Sequence, residues 1–179
     1  LKLYLKIFPL VKSIYPDVEL HIFSSMNIYG QSDKDKEYKD LYNKLKNIEG
    51  VKYFGSLPQK KLITHLEKCL IFGYPNIFRE TFCLSIIEAM SQGCYTISSN
   101  LGALKEVCGG YSTLLNYDNE ELYIKQFSNK IIEILEKYYN KNQKLEDHLK
   151  SQIEYVNNNF KWSKFIQKFI QIDEEKTIL

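Results

Sequence analysis

A chain of 179 residues that is 44% hydrophobic, with 14 Tyr and 10 Phe, carries enough apolar surface for one packed core, and its 8 Gly and 4 Pro exclude collagen-like and low-complexity designs. A net charge of +2 excludes the strong field that nucleic acid or anionic lipid would require, and apolar runs of only a few residues are too short to span a membrane. Cys69, Cys83, Cys94 and Cys108 show no CxxC spacing and the chain has three His, so they read as four reduced thiols in a cytosolic protein, not a zinc site.

In chain order, Leu3, Tyr4, Ile7, Leu10, Val11 and Ile14 stand at helical spacing, closed by Tyr15-Pro16-Asp17; Pro9 inside this stretch predicts a kink or a late helix start. The opening LKLYLKIFPLVK is no signal peptide and begins on Leu1, which predicts a piece of a longer protein. VELHIFSS (18–25) reads as a short buried strand, 27–36 as a polar loop, and 37–47 as a helix through Tyr38, Leu41, Tyr42 and Leu45. VKYFG (51–55) is a second strand, and Pro58 opens a helix bearing Leu62, Ile63 and Leu66, a position where the missing amide costs nothing.

CLIFGY (69–74) is a third strand, followed by a loop, a helix over 84–92, and a fourth strand, CYTISS (94–99). A short helix (103–107), Gly109-Gly110 and a fifth strand, YSTLL (111–115), come next. Asp118 with Glu121 has capping-box spacing ahead of a long helix with Ile124, Phe127, Ile131, Leu135 and Tyr138 on one face. Helical stretches at 143–157 and 162–172 close the chain. Short apolar strands alternating with single-helix crossovers predict one α/β domain over 1–179, a Rossmann-like parallel sheet with helices on both faces.

Ligands of such sheets sit at the carboxyl ends of the strands, where helix N-termini point. There the chain places Glu80 in the loop before the helix at 84 and Glu88 inside that helix. Amides near Phe82, Cys83 and Leu84 suit a phosphate, and Glu88 suits a vicinal diol such as ribose. From the residues alone a second reading stays open, in which Glu88 is a solvated helix residue and Glu80 merely favours the positive end of the helix.

The stretch RETFCLSIIEAMSQGCYTISSNLGALKEV (79–107) resembles the Glu-x7-Glu region of glycosyltransferase family 4 and its relatives (group 1), retaining and metal-independent enzymes of the GT-B fold. Glu80, Phe82, Leu84, Glu88, Ala89, Met90, Gly93, Ile97, Gly102, Glu106 and Val107 fall on that frame. VKYFGSLPQKKL, YPDVELHIF and NNNFKWSKFIQKF extend the resemblance over nearly the whole chain. It implies the C-terminal, donor-binding half of such an enzyme. Glu80 is the implied catalytic residue, beside the donor sugar. Glu88 would bind the ribose, the loop Thr81, Phe82, Cys83 and Leu84 the diphosphate, and Gly55, Ser56 and Leu57 would line the nucleobase.

The resemblance also implies the donor itself, a nucleotide-diphosphate sugar, with neither metal nor other cofactor. The partner is an N-terminal acceptor half of the same protein, not nucleic acid, and peripheral membrane contact is common among relatives through that absent half. The expected location is the cytoplasm.

Three departures stand out. Thr81 and Cys83 replace two glycines of the family loop, and Ser24 and Ser25 replace the glycine usual after the preceding strand. The family's first strand and its basic Arg and Lys pair should precede Leu1, so this chain alone should not turn over and should expose an open sheet edge prone to self-association. The alternative is a non-catalytic nucleotide-sugar-binding or scaffolding domain derived from such an enzyme; sugar-nucleotide epimerases share the fold but lack the Glu-x7-Glu frame. Among the smaller features, Arg79, the sole arginine, reads as a surface residue, the three His as packing or solvent residues, and Trp162, Phe160, Phe165 and Phe169 as a docking face for the closing helix. Cys83, if it sits at the helix N-terminus, is placed where a thiol pKa falls.

Overall fold

The computed structural model describes residues 1–26, 32–161, 163, 166, 167, 170 and 171. Five parallel strands alternate with helices in the order α1 (Tyr4–Lys12), β1 (Leu20–Ile22), α2 (Ser32–Lys46), β2 (Val51–Tyr53), α3 (Gln59–Leu66), β3 (Ile71–Tyr74), α4 (Leu84–Ser91), β4 (Tyr95–Ser99), α5 (Leu104–Cys108), β5 (Thr113–Leu115), α6 (Glu120–Tyr139) and α7 (Gln143–Asn159). The alternation expected from the sequence is present, with each strand shorter than its apolar run.

The helices cover both faces. On one, Tyr4, Ile7 and Phe8 of α1 pack with Ile97 of β4 and Tyr123, Ile124 and Phe127 of α6, extending to Leu45 of α2. On the other, Ile86, Ile87 and Met90 of α4 pack with Leu104, Val107 and Cys108 of α5 and Val156 of α7. Burying both faces explains why the strands read as continuous apolar runs and not as alternating ones. Gly73 lies directly under the first of these layers: a Cβ there would lie 2.2 Å from the Tyr4 hydroxyl, which donates to the Gly73 carbonyl at 2.7 Å.

Three local expectations are corrected. The loop expected over 27–36 is helical from Ser32, because Asp33 and Asp35 stabilise the positive end of α2; 27–31 lie outside the described residues. Helix α1 starts before Pro9, held by its buried stripe Tyr4, Ile7, Phe8 and Val11, so the proline does not delay it. The cap of α6 is Asn119, whose side chain accepts from the Leu122 amide at 3.0 Å, and not Asp118 with Glu121. Most of the helix expected at 162–172, with Trp162, Phe165 and Phe169, lies outside the described residues.

The strands form two sheets, β1-β2 and β3-β4-β5. Between them lies a cavity of about 630 Å³ lined by Leu20 and Ile22 of β1, Ile71 and Phe72 of β3, and Tyr4 and Phe8 of α1, with Leu1 at its wall. The inner edges of β1 and β3 thus face one another across an apolar slot, with no strand among the described residues pairing them.

Candidate functional site

Loop 75–83, between β3 and α4, is held from below by buried polar groups. The Asn76 side chain donates to the Phe78 carbonyl at 2.8 Å and accepts from Ser98 Oγ at 3.2 Å. Ser98 Oγ also reaches the Tyr74 carbonyl at 2.9 Å, while Ser99 Oγ bonds the Asn76 carbonyl and lies 2.7 Å from the Tyr123 hydroxyl. Asn76, Ser98 and Ser99 are buried, so each of these bonds satisfies a group that water does not reach. A sheet residue as polar as Ser98 or Ser99 is tolerated in β4 because the loop supplies its partners.

The other end of the loop is tied to the β4–α5 connection. Glu80 forms a single parallel bridge with Gly102, and the Ala103 amide donates to the Glu80 carbonyl at 2.8 Å. Gly102 has φ +64, and a Cβ there would fall 2.2 Å from the Glu80 carbonyl oxygen and 2.6 Å from its amide nitrogen, so only glycine permits this approach. The half-buried Glu80 carboxylate accepts from the Tyr74 hydroxyl at 2.5 Å.

Helix α4 then begins at Cys83, whose backbone is left-handed (φ 54, ψ 73) and which provides no side-chain cap. Thr81, Phe82 and Leu84 around this helix start are exposed. The Cys83 thiol is pushed up to about 11, chiefly by burial and further by the neighbouring Glu80 charge and by Cys108. This reverses the lowered pKa expected at a helix N-terminus: the thiol packs toward the α4–α5–α7 core, where loss of water outweighs the dipole. All four cysteines are free thiols.

Glu88, one helical segment on, is half-buried and lines the cavity, as do Ser85, Tyr74 and Asn76. Its Oε1 accepts from Gln59 Nε2 at 2.6 Å, which joins α4 to the start of α3 and so to the loop Gly55, Ser56, Leu57. Gly55 is left-handed (φ +68) with little around it. Of the expected site residues only Glu88 lines the cavity. Glu80 meets it through Tyr74, and Gly55, Ser56, Leu57, Thr81, Phe82, Cys83 and Leu84 lie outside its lining.

In the segment after β1, the Asp35 carboxylate gathers three donors: Ser25 Oγ at 2.6 Å, the Met26 amide at 2.7 Å and the Tyr42 hydroxyl at 3.2 Å. Those bonds, the Ser25 one first, hold Asp35 below the usual carboxylate range. Sequence reading passed over Tyr74, Asn76, Gln59 and Asp35. Only the Asn76-containing loop carried a signal, its polar density after an apolar run.

Parallel strands wound with helices on both faces, with this loop at the carboxyl end of β3, are the Rossmann-like arrangement of one half of a GT-B fold, and solved structures share it. A glycosyltransferase from Rickettsia africae superposes with TM-score 0.74 at 18% identity, over 97% of this chain and 44% of its own. Sucrose-phosphate synthase from Thermosynechococcus elongatus gives 0.72 at 18%, over 99% and 43%. The pneumococcal O-GlcNAc transferase GtfA, in complex with UDP and GlcNAc, gives 0.62 at 15%, over 97% and 32%. Residues 1–153 match the family "glycosyl transferases group 1", and the chain belongs to that family. It is also 27% identical over 99 residues to a phosphatidyl-myo-inositol mannosyltransferase of Propionibacterium freudenreichii subsp. shermanii, 55% of this chain and 22% of that protein. The chain thus spans less than half the length of each of these relatives. No helix among the described residues is long and apolar enough to cross a membrane.

Proposed function

We propose that this chain is the donor-binding half of a retaining, metal-independent glycosyltransferase, which moves a sugar from a nucleotide-diphosphate donor to an acceptor held by a separate N-terminal half. The observation that carries this reading is the placement of two carboxylates, Glu80 and Glu88, on either side of a helix start that no side chain caps. In this reading Glu88 accepts from the ribose hydroxyls, with Gln59 fixing one of its oxygens. The amides from Phe82 to Leu84 take the diphosphate, aided by the α4 dipole. The loop Gly55, Ser56, Leu57 borders the base, and Glu80 takes a hydroxyl of the sugar. Protein catalysis is then positioning plus stabilisation of charge on the departing diphosphate.

The likeness to a structure holding UDP and to a mannosyltransferase supports a nucleotide-sugar donor. The slot between β1 and β3 is the place of one further parallel strand, supplied by the segment that precedes Leu1 in a longer chain, and that segment brings the basic pair absent from this site. The acceptor half, with any peripheral membrane contact, lies there too. Nucleic acid is not a partner in this reading, and the protein works in the cytoplasm.

Calorimetric titration of the full-length protein with UDP, GDP, ADP and their sugar conjugates tests this. One nucleotide series should saturate, and Glu88→Ala should weaken it at least tenfold, the loss expected for two hydrogen bonds to a charged acceptor. Silence across the panel would sink the enzyme reading and leave a scaffolding domain in its place.

A further inference from the structure

We propose that Tyr74 is a positioning residue for the donor sugar, acting through Glu80; the proposal rests on the donor-site reading above and identifies what aims its carboxylate. Tyr74 is the last residue of β3, at the wall of the cavity, and its hydroxyl donates to Glu80 Oε1 at 2.5 Å. The phenol has little freedom to leave. Its ring stacks on Phe72 (6.2 Å, 22°) and meets Phe78 edge-on (6.5 Å, 90°). Its own backbone carbonyl accepts from Ser98 Oγ and from the Asn76 amide, both at 2.9 Å.

The carboxylate is anchored independently at its backbone, through the Gly102 bridge and the Ala103 amide. Backbone and one carboxylate oxygen are thus both tied, and Oε2 carries no hydrogen bond among the described residues. That oxygen is the acceptor offered to a sugar hydroxyl. A flexible glutamate would have to be ordered by the ligand at the moment of binding; Tyr74 orders it beforehand, which favours the sugar without touching the nucleotide. The chemistry selects a donor whose sugar presents a hydroxyl to one carboxylate oxygen, not a vicinal pair to both.

The full-length protein, its Tyr74→Phe and Glu80→Gln variants and the double variant are titrated with the nucleoside diphosphate and with its sugar conjugate, the pair being whichever of the UDP, GDP and ADP series binds. Tyr74→Phe removes one oxygen from a half-buried ring, and its thermal midpoint is recorded alongside. The expected result is unchanged affinity for the diphosphate and about tenfold weaker affinity for the conjugate, the lower range for a hydrogen bond to a charged group. The double variant should bind the conjugate no more weakly than Glu80→Gln alone, because the phenol acts only through that carboxylate. Equal weakening of both ligands, retained affinity for the conjugate, or a loss that adds to that of Glu80→Gln overturns the proposal. If the unmodified protein binds no nucleotide, the donor-site reading fails first and this one with it, a result visible before any variant is made.

Discussion

Single residues in this chain are constrained mainly by what approaches their backbone. Gly102 illustrates it: the family frame marks the position, but the reason is the Glu80 peptide lying where a Cβ would be, 2.2 Å from its carbonyl oxygen. Gly102→Ala should therefore push the Glu80 loop outward and cost about 1–3 kcal/mol, the range for overpacking a tight contact. Denaturant unfolding checks the stability, and sugar-conjugate affinity checks the displacement. Cys83 shows the converse, a residue whose position is readable and whose chemistry is not. Its burial raises the thiol to about 11, so the thiolate is scarce at neutral pH and alkylation at Cys83 should climb about tenfold per pH unit up to that value. Peptide mass spectrometry across pH 7–11 measures this, and a plateau near pH 8 would refute it.

Elements were legible where a stripe or an apolar run repeats, and less so at their ends. The α6 stripe predicted the helix, yet its cap moved one residue, from Asp118 to Asn119, because capping depends on which side chain the turning backbone brings to the Leu122 amide. The start of α2 was hidden because Asp33 and Asp35 read as loop composition, although acids at a helix start are favourable. The far end of α6 is a Schellman closure: the Asn142 amide bonds the Lys137 carbonyl and the Lys141 amide the Tyr138 carbonyl, both at 3.0 Å. Lys141 occupies its left-handed position (φ 49), where glycine is usual. Lys141 is exposed, so Lys141→Gly relieves backbone strain without unpacking anything. It should stabilise the chain by about 1 kcal/mol, or roughly 2–4 °C in thermal midpoint. A fall in the midpoint would count against the strain argument.

At the scale of the whole molecule, the split into two sheets is the dominant feature. Two parallel edges facing an apolar slot of about 630 Å³ leave backbone donors and acceptors of β1 and β3 without a ladder on that side. Filling the slot with a strand from upstream of Leu1 would bury several apolar side chains, each contributing about 1.5–3 kcal/mol. If the proposed longer chain exists, that form should then melt on the order of 10 °C higher than the 179-residue chain. Sedimentation should show the shorter form self-associating and the longer one not. Equal midpoints would mean that the slot is not a strand site.

Periodicity and apolar runs report which residues must leave water, a local property, and from them the α/β alternation, both helix layers and the places of Glu80 and Glu88 could be read. Tyr74 against Glu80, Gln59 against Glu88, the Asn76–Ser98–Ser99 brace and the slot between β1 and β3 join residues whose partners are chosen by loop path and strand order. Hydrogen bonds across a fold depend on where distant backbones arrive, and no spacing along the chain encodes that; packing alone decided them.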